Sequence, residues 1–362
     1  MTDIALFVPS MNGGGAERVM LILANTLAEK GYCVDLLLAK AKGNFIKDVS
    51  NKVRIVDLNS SRVFFAINPL IKYLKKEQPK VVLSAMHYVN VVATIAVKLS
   101  GIKCRVVISE HSTLSLSLAG SSYKNIILKK LMYFSYRRAD GIVAVSSGVA
   151  KDLALTLGLD FERIRVIYNP VVTSELLIKK EEELNHFWAK KNLPFILAVG
   201  RLTEAKNFPL LINAFSNVVT RQKNIHLVIL GVGKLEFELK KLVEKLGIED
   251  RVHILGFMEN PYSWMKKSEL FVLSSLWEGF GNVLVEAMAC DTRVISTNCP
   301  NGPSEILEGG KWGVLVPTND PDALAEAIIT ELTNKSAVNF SEQLLKYKPH
   351  NIVDQYLTVL LP

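Results

Sequence analysis

Glu278-Gly279-Phe280-Gly281-Asn282-Val283-Leu284-Val285-Glu286 is the stretch whose reading decides the fold. An apolar run, Glu269 to Ser275, precedes it, and Val283 to Cys290 follows with the small and apolar residues of a helix. The pattern is strand, glycine-rich loop, helix start. Gly279 and Gly281 allow positive φ or a close backbone approach to a ligand. The first helix amides lack intrahelical partners and stand at the positive end of the dipole, which suits a phosphate or a polar sugar oxygen. Glu278 lies at the loop's mouth and Glu286 in the first turns of the helix. Carboxylates accept hydrogen bonds from vicinal hydroxyls such as those of a sugar or ribose. Taken alone, the same two acids read equally as a cap and a solvated side chain.

Outward from this loop, the second half of the chain alternates strands and helices. Strands are predicted at Phe195–Gly200, His226–Gly231, Val252–Phe257, Glu269–Ser275, Arg293–Thr297 and Gly313–Pro317, and helices at Pro209–Arg221, Lys234–Leu246 and Asp320–Leu332. Asp320 and Pro321 suit an N-cap and a first helical position. At the end of the first of these strands comes Gly200-Arg201-Leu202-Thr203-Glu204-Ala205-Lys206. A planar guanidinium and a compact ammonium five residues apart on a loop can hold phosphate oxygens, although two solvated surface cations would look the same. Leu255-Gly256-Phe257-Met258 ends another strand, and Cys299 to Leu307 forms a further loop-to-helix element on the same edge.

The first half repeats the alternation, with strands predicted at Asp3–Ser10, Tyr32–Ala39, Val81–Met86, Arg105–Glu110, Gly141–Ser146 and Arg165–Tyr168. Its first strand runs into Gly13-Gly14-Gly15-Ala16-Glu17-Arg18, a glycine turn opening a helix, which is neither G-x-G-x-x-G nor a P-loop. His111, in Ser109-Glu110-His111-Ser112, follows another strand at its carboxyl end. The pattern divides the chain into residues 1–170, residues 171–340 and a helical tail, 341–362, which is expected to pack back on the first domain.

These motifs together resemble the retaining GT-B glycosyltransferases of family 4. The resemblance covers nearly the whole chain, from Gly13 to the closing helices, and rests on Glu278 and Glu286 with seven residues between, on Arg201 and Lys206, and on Gly14-Gly15-Ala16-Glu17-Arg18. It implies an α/β protein of two doubly wound Rossmann-like domains facing an inter-domain cleft. It implies a UDP-sugar donor and retention of the anomeric configuration. Arg201 and Lys206 would hold the diphosphate, and Glu286 the ribose hydroxyls. Glu278, with the amides of Phe280, Gly281 and Asn282, would hold the sugar. His111 would contact the sugar's 6-hydroxyl. Gly14 and Gly15 would let donor and acceptor approach the backbone, and Gly256 and Phe257 would border the base. The donor phosphate would take the acceptor's proton. No metal-ligand cluster is evident, so no cofactor or metal is expected, the UDP-sugar being substrate.

Charge bears on the acceptor. Of 362 residues, the first 170 hold 23 Lys and Arg against 12 Asp and Glu, a net of +11, while the remainder nets −3. A basic half suits an anionic partner, nucleic acid or membrane surface. No RNA-binding aromatic motif appears, so nucleic acid is not expected. Two segments mix cations with apolar residues: Arg62–Lys76, with Lys72, Lys75 and Lys76, and Tyr123–Arg138, with Lys129 and Lys130. Each reads either as a core helix with solvated cations or as a dock on anionic lipid. No uncharged apolar run reaches about 18 residues, no signal peptide is evident, and four scattered cysteines suit a reducing compartment. The expectation is a cytoplasmic enzyme, peripheral on the inner membrane face, elongating a glycan or lipid-linked oligosaccharide, with Arg18 on the acceptor side. A UDP-sugar epimerase or hydrolase, or a non-catalytic nucleotide-sugar or nucleic-acid binding protein, are the rival readings. Nothing in the sequence sets the oligomeric state.

Overall fold

The computed structural model describes residues 2–119, 123–334 and 338–362. These fall into two compact units: one runs to Pro170 and resumes over Tyr347–Pro362, and the other is Val171–Lys346.

Among the described residues of the first unit, seven strands form one parallel sheet: β1 (Ile4–Val8), β2 (Val34–Leu38), β3 (Val53–Asp57), β4 (Val81–Ala85), β5 (Arg105–Glu110), β6 (Gly141–Ala144) and β7 (Ile164–Val166). Their order is β3-β2-β1-β4-β5-β6-β7. β1 is central, with Ile4 opposite both Val34 and Val81, and it is buried from end to end. Strands covered on both faces read as continuous apolar runs, which is why β1, β2 and β4 are plain in the sequence. β3 is not. It is an edge strand whose Arg54, Ile55 and Asp57 are exposed, so it lacks the apolar run. Arg54 holds it in place by reaching Asp35 of β2 and Glu77.

The helix Pro349–Leu360 closes this unit by packing on the helix Gly15–Glu29. Its Ile352, Val353, Tyr356 and Leu360 are fully buried in the same core as β1. Arg105 donates to the Val359 carbonyl at 3.2 Å. Ser341–Lys346, read in sequence as the start of the tail, stays with the second unit. There Gln343 Nε2 donates to the Ile306 carbonyl at 2.6 Å, and Lys346 pairs with Glu308.

The second unit's sheet has, among the described residues, six parallel strands: β8 (Phe195–Val199), β9 (His226–Leu230), β10 (Val252–Gly256), β11 (Leu270–Leu273), β12 (Val294–Thr297) and β13 (Val314–Val316), in the order β10-β9-β8-β11-β12-β13. Strand order reverses between β8 and β11, as it does between β1 and β4 in the first sheet. Ligand crevices of doubly wound folds open beyond the carboxyl ends of the strands at such reversals. The loops that follow β1, β4, β8 and β11 therefore stand where a ligand is to be sought.

Candidate functional site

At the carboxyl edge of the second sheet, backbone contacts lace the loops together. The Gly200 amide donates to Leu230, that of Leu202 to Val232, and that of Gly231 to Gly256, at 2.7–3.0 Å. The approach is too close for side chains: a Cβ on Gly231 would lie 1.9 Å from the Gly200 carbonyl oxygen. From this platform the chain enters a short turn, Glu204–Lys206. Arg201 is exposed, while Lys206 is half-buried and lays its stem across Gly200.

Lys206 Nζ donates to Glu278 Oε1 at 2.6 Å. Ser275 Oγ donates to the same oxygen at 2.6 Å. Behind them, Thr297 Oγ1 donates to the Ser275 carbonyl at 2.6 Å and Ser274 Oγ to the Lys206 carbonyl at 2.9 Å. The Leu276 amide reaches the Ala205 carbonyl at 2.8 Å. The loop after β8 and the loop after β11 are thus one fixed assembly.

Beyond Glu278, Phe280 is buried, and Gly281, at φ +100°, precedes the helix Asn282–Ala289. Only a residue without Cβ takes that conformation readily. Gly279 takes no such φ. The Glu278 amide donates to the Pro300 carbonyl at 3.2 Å, and a Cβ on Gly302 would lie 1.8 Å from the Phe280 oxygen. The Cys299–Leu307 element therefore backs the glycine-rich loop directly. Glu286 is 6% exposed, which removes the reading of a solvated first-turn acid. Gly256 ends β10 at φ +79° after a register shift, and Phe257 stands 67% exposed on the same edge. This unit thus gathers Arg201, Lys206, Gly256, Phe257, Glu278, Gly279, Phe280, Gly281, Asn282 and Glu286 on one sheet edge and its following helix.

The first unit's carboxyl edge is built differently. Gly13, at φ +105°, turns the chain after β1, and Gly14 N-caps the helix that Gly15 begins. A Cβ on Gly14 would lie 2.0 Å from Glu17 Oε2, so the glycine leaves room for that carboxylate. The Arg18 guanidinium lies over the Phe45 ring at 5.7 Å. Beyond β5, His111 Nε2 is 3.0 Å from Ser109 Oγ, which in turn is 3.2 Å from the Tyr356 hydroxyl. Burial pushes the His111 imidazole down to about 4, so it is neutral at pH 7. Its neighbour Glu110 is fully buried and accepts from Tyr136 Oη at 2.7 Å, Ser112 Oγ at 2.8 Å and the His111 amide at 3.2 Å.

Of the cationic candidates, Lys72, Lys75, Lys76 and Lys130 are exposed and Lys129 is half-buried. Among the described residues no group of three or more His, Cys, Asp or Glu could hold a metal ion, and no helix is long and apolar enough to cross a membrane. Sequence reasoning missed Ser275 and Thr297. A serine or threonine at a strand's end carries no signal until folding brings it to its partner, the Glu278 carboxylate for Ser275 and the Ser275 carbonyl for Thr297. It also missed Met86, held at φ +77° beyond β4, a conformation rare for a side-chain-bearing residue.

With this geometry in view, comparison with known proteins is decisive for the family. Residues 13–175 match the family described as Glycosyltransferase Family 4, and residues 179–349 match Glycosyl transferases group 1. The chain is similar, at 31% identity over 348 residues (92% of this chain, 90% of the relative), to the N-acetylgalactosamine-N,N'-diacetylbacillosaminyl-diphospho-undecaprenol 4-alpha-N-acetylgalactosaminyltransferase of Campylobacter jejuni. A second enzyme of that organism, a GalNAc-alpha-(1->4)-GalNAc-alpha-(1->3)-diNAcBac-PP-undecaprenol alpha-1,4-N-acetyl-D-galactosaminyltransferase, is 28% identical, with 99% of this chain and 98% of the relative covered. Among solved structures, Anabaena HepE in complex with UDP superposes with a TM-score of 0.79 at 22% identity, covering 99% of each chain. These matches show that the chain belongs to the family 4 glycosyltransferases and that its two parallel-sheet units have the GT-B fold.

Proposed function

We propose that this glycosyltransferase moves a hexose or N-acetylhexosamine from a UDP-sugar to a lipid-linked glycan at an anionic membrane face, with retention and without a metal ion. The observation that carries the donor assignment is the Lys206–Glu278 contact at 2.6 Å on the carboxyl edge of the second sheet. It sets a phosphate-binding cation beside a hydroxyl-binding acid at the reversal of strand order. Lys206 and the exposed Arg201 take the charge that grows on the departing diphosphate. Glu286 takes the ribose hydroxyls. Glu278 and the amides of Phe280, Gly281 and Asn282 take the hydroxyls of the sugar, and a donor phosphate oxygen accepts the acceptor's proton. HepE binding UDP supports the donor class, and the two Campylobacter relatives named for undecaprenol-linked substrates support the acceptor class.

The test is Lys206→Ala, assayed for sugar transfer at saturating donor with and without EDTA. Loss of transition-state charge stabilisation is expected to cost about 2.7–4 kcal/mol, roughly 10²–10³ in turnover. The variant should still unfold in one cooperative transition, and wild-type activity should survive the chelator. Near-normal turnover of the variant would remove Lys206 from the diphosphate site. Loss of wild-type activity in EDTA, restored by a divalent cation, would overturn metal independence.

A further inference from the structure

The cation assigned to the diphosphate and the acid assigned to the sugar bind each other. Their side chains are only 19% and 13% exposed, so solvent screens this pair less than a surface ion pair. Ser275 Oγ meets the bridging Glu278 oxygen from a second direction. The Ser275 backbone is itself fixed by Thr297, and Lys206 by Ser274. An anion that takes Lys206 has to take it from Glu278, and it meets the repulsion of that carboxylate as it does so.

We propose that Glu278 is a built-in competitor of the anion site, and that Ser275 is the positioning residue that holds it in the competing geometry. The proposal rests on the reading of Lys206 as a diphosphate contact and goes beyond it. A nucleoside diphosphate alone displaces Glu278 and gives the carboxylate nothing in exchange. A nucleoside diphosphate carrying a sugar offers hydroxyls to that carboxylate, so both members of the pair change partners together. The site thereby favours the loaded donor over the spent nucleotide. Once the sugar has left, Glu278 reclaims Lys206 and hastens release of the diphosphate. No bond changes in this exchange; only hydrogen bonds and ion pairs are redistributed.

The experiment is calorimetric titration of the full chain with UDP and, separately, uridine. It uses wild type, Glu278→Gln, Ser275→Ala, Ser275→Thr, Lys206→Ala and the Lys206→Ala/Glu278→Gln double variant. Glu278→Gln is expected to bind UDP about two- to 150-fold more tightly than wild type, the range of coupling between contacting residues of one salt-bridge network. Uridine affinity should be unchanged, and sugar transfer should fall. Ser275→Ala should tighten UDP in the same direction by less, and Ser275→Thr, which keeps the hydroxyl, should return to wild type. In the Lys206→Ala background Glu278→Gln should gain much less, because there is no cation to release. Equal or weaker UDP binding by Glu278→Gln, with the unfolding transition intact, would overturn the proposal. So would an equal gain with and without Lys206. UDP binding unchanged in Lys206→Ala would instead remove the underlying diphosphate reading and this proposal with it.

Discussion

Helix Ile67–Glu77 buries Leu70, Tyr73 and Leu74 and turns Lys72, Lys75 and Lys76 to solvent. Helix Tyr123–Arg138 buries Met132, Ser135 and Tyr136 and leaves Tyr123, Ile126, Ile127, Tyr133 and Phe134 exposed among Lys124, Lys130, Arg137 and Arg138. Both segments mix aromatic, aliphatic and basic residues. In the first, Leu70, Tyr73 and Leu74 fall at i, i+3 and i+4 and form one stripe that the core takes up, with Ile67 and Ile71 half-buried at its margin. In the second the large apolar positions run around the helix, the core takes a narrow strip, and the rest stays outside. This second helix contains no acid. Its two arginines lie over its own aromatic rings, Arg137 at 4.1 Å from the Tyr133 centroid and Arg138 at 5.9 Å from that of Phe134. Composition alone therefore does not separate a core helix from a docking one; angular spacing does. The membrane role proposed above needs an apolar strip as well as charge; of these two helices only Tyr123–Arg138 has one to give, while in the other segment the exposed apolar side chains are Phe64 and Phe65, just before helix Ile67–Glu77.

The largest expected difference between the helices lies in stability. Leu74→Ala should cost about 2–5 kcal/mol, since it empties a fully buried site, whereas Phe134→Ala should stay within about 0.5 kcal/mol. Denaturant midpoints at constant m-value decide it, and equal losses would erase the distinction. A second contrast lies in membrane binding. Replacing Ile126, Ile127 and Phe134 together by Ser should abolish the salt-resistant part of co-sedimentation with anionic vesicles, because that part comes from apolar burial. If binding in high salt is unaffected, this helix is not the dock. The smallest effect is expected from Lys72, Lys75 and Lys76 changed together to Glu. Each cation near an anionic leaflet is worth about 1 kcal/mol and is screened by salt. Binding should weaken at low salt, converge with wild type at high salt, and leave UDP affinity unchanged. A loss that persists at high salt would mean that helix Ile67–Glu77 contributes more than charge.

The same physics explains how much could be read in advance. All six strands of the second sheet stand out in sequence because each carries an apolar run, Phe195–Val199 being a clear case. β3 escaped because an edge strand keeps polar residues on its open face. In the site, the glycine-rich loop and the Arg201–Lys206 turn were legible as separate motifs. Their junction was not: Lys206 and Glu278 are 72 residues apart in the chain, and nothing local says that they touch. Ser275 was invisible for the same reason. The burial of Glu286 could not be chosen from spacing: a carboxylate in a first helical turn suits solvent equally well, whereas the helix begins at Asn282 and puts Glu286 beyond its first turn, on the buried side. The composition of helix Tyr123–Arg138 supports two readings, and its angular spacing weighs them.

The return of Tyr347–Pro362 to the first unit has a consequence for the order of synthesis. Val19, Met20 and Leu23 share the core that Ile352, Val353 and Tyr356 complete, yet those last residues leave the ribosome only after the whole second unit. At translation speeds of about 5–20 residues per second, the delay is roughly 10–35 s. Through that interval the half made first lacks part of its own core, while the half made second has its complete sequence as soon as Lys346 is added. The nascent first unit therefore carries an uncovered apolar surface that invites chaperone capture, and the unit begun first is the one finished last.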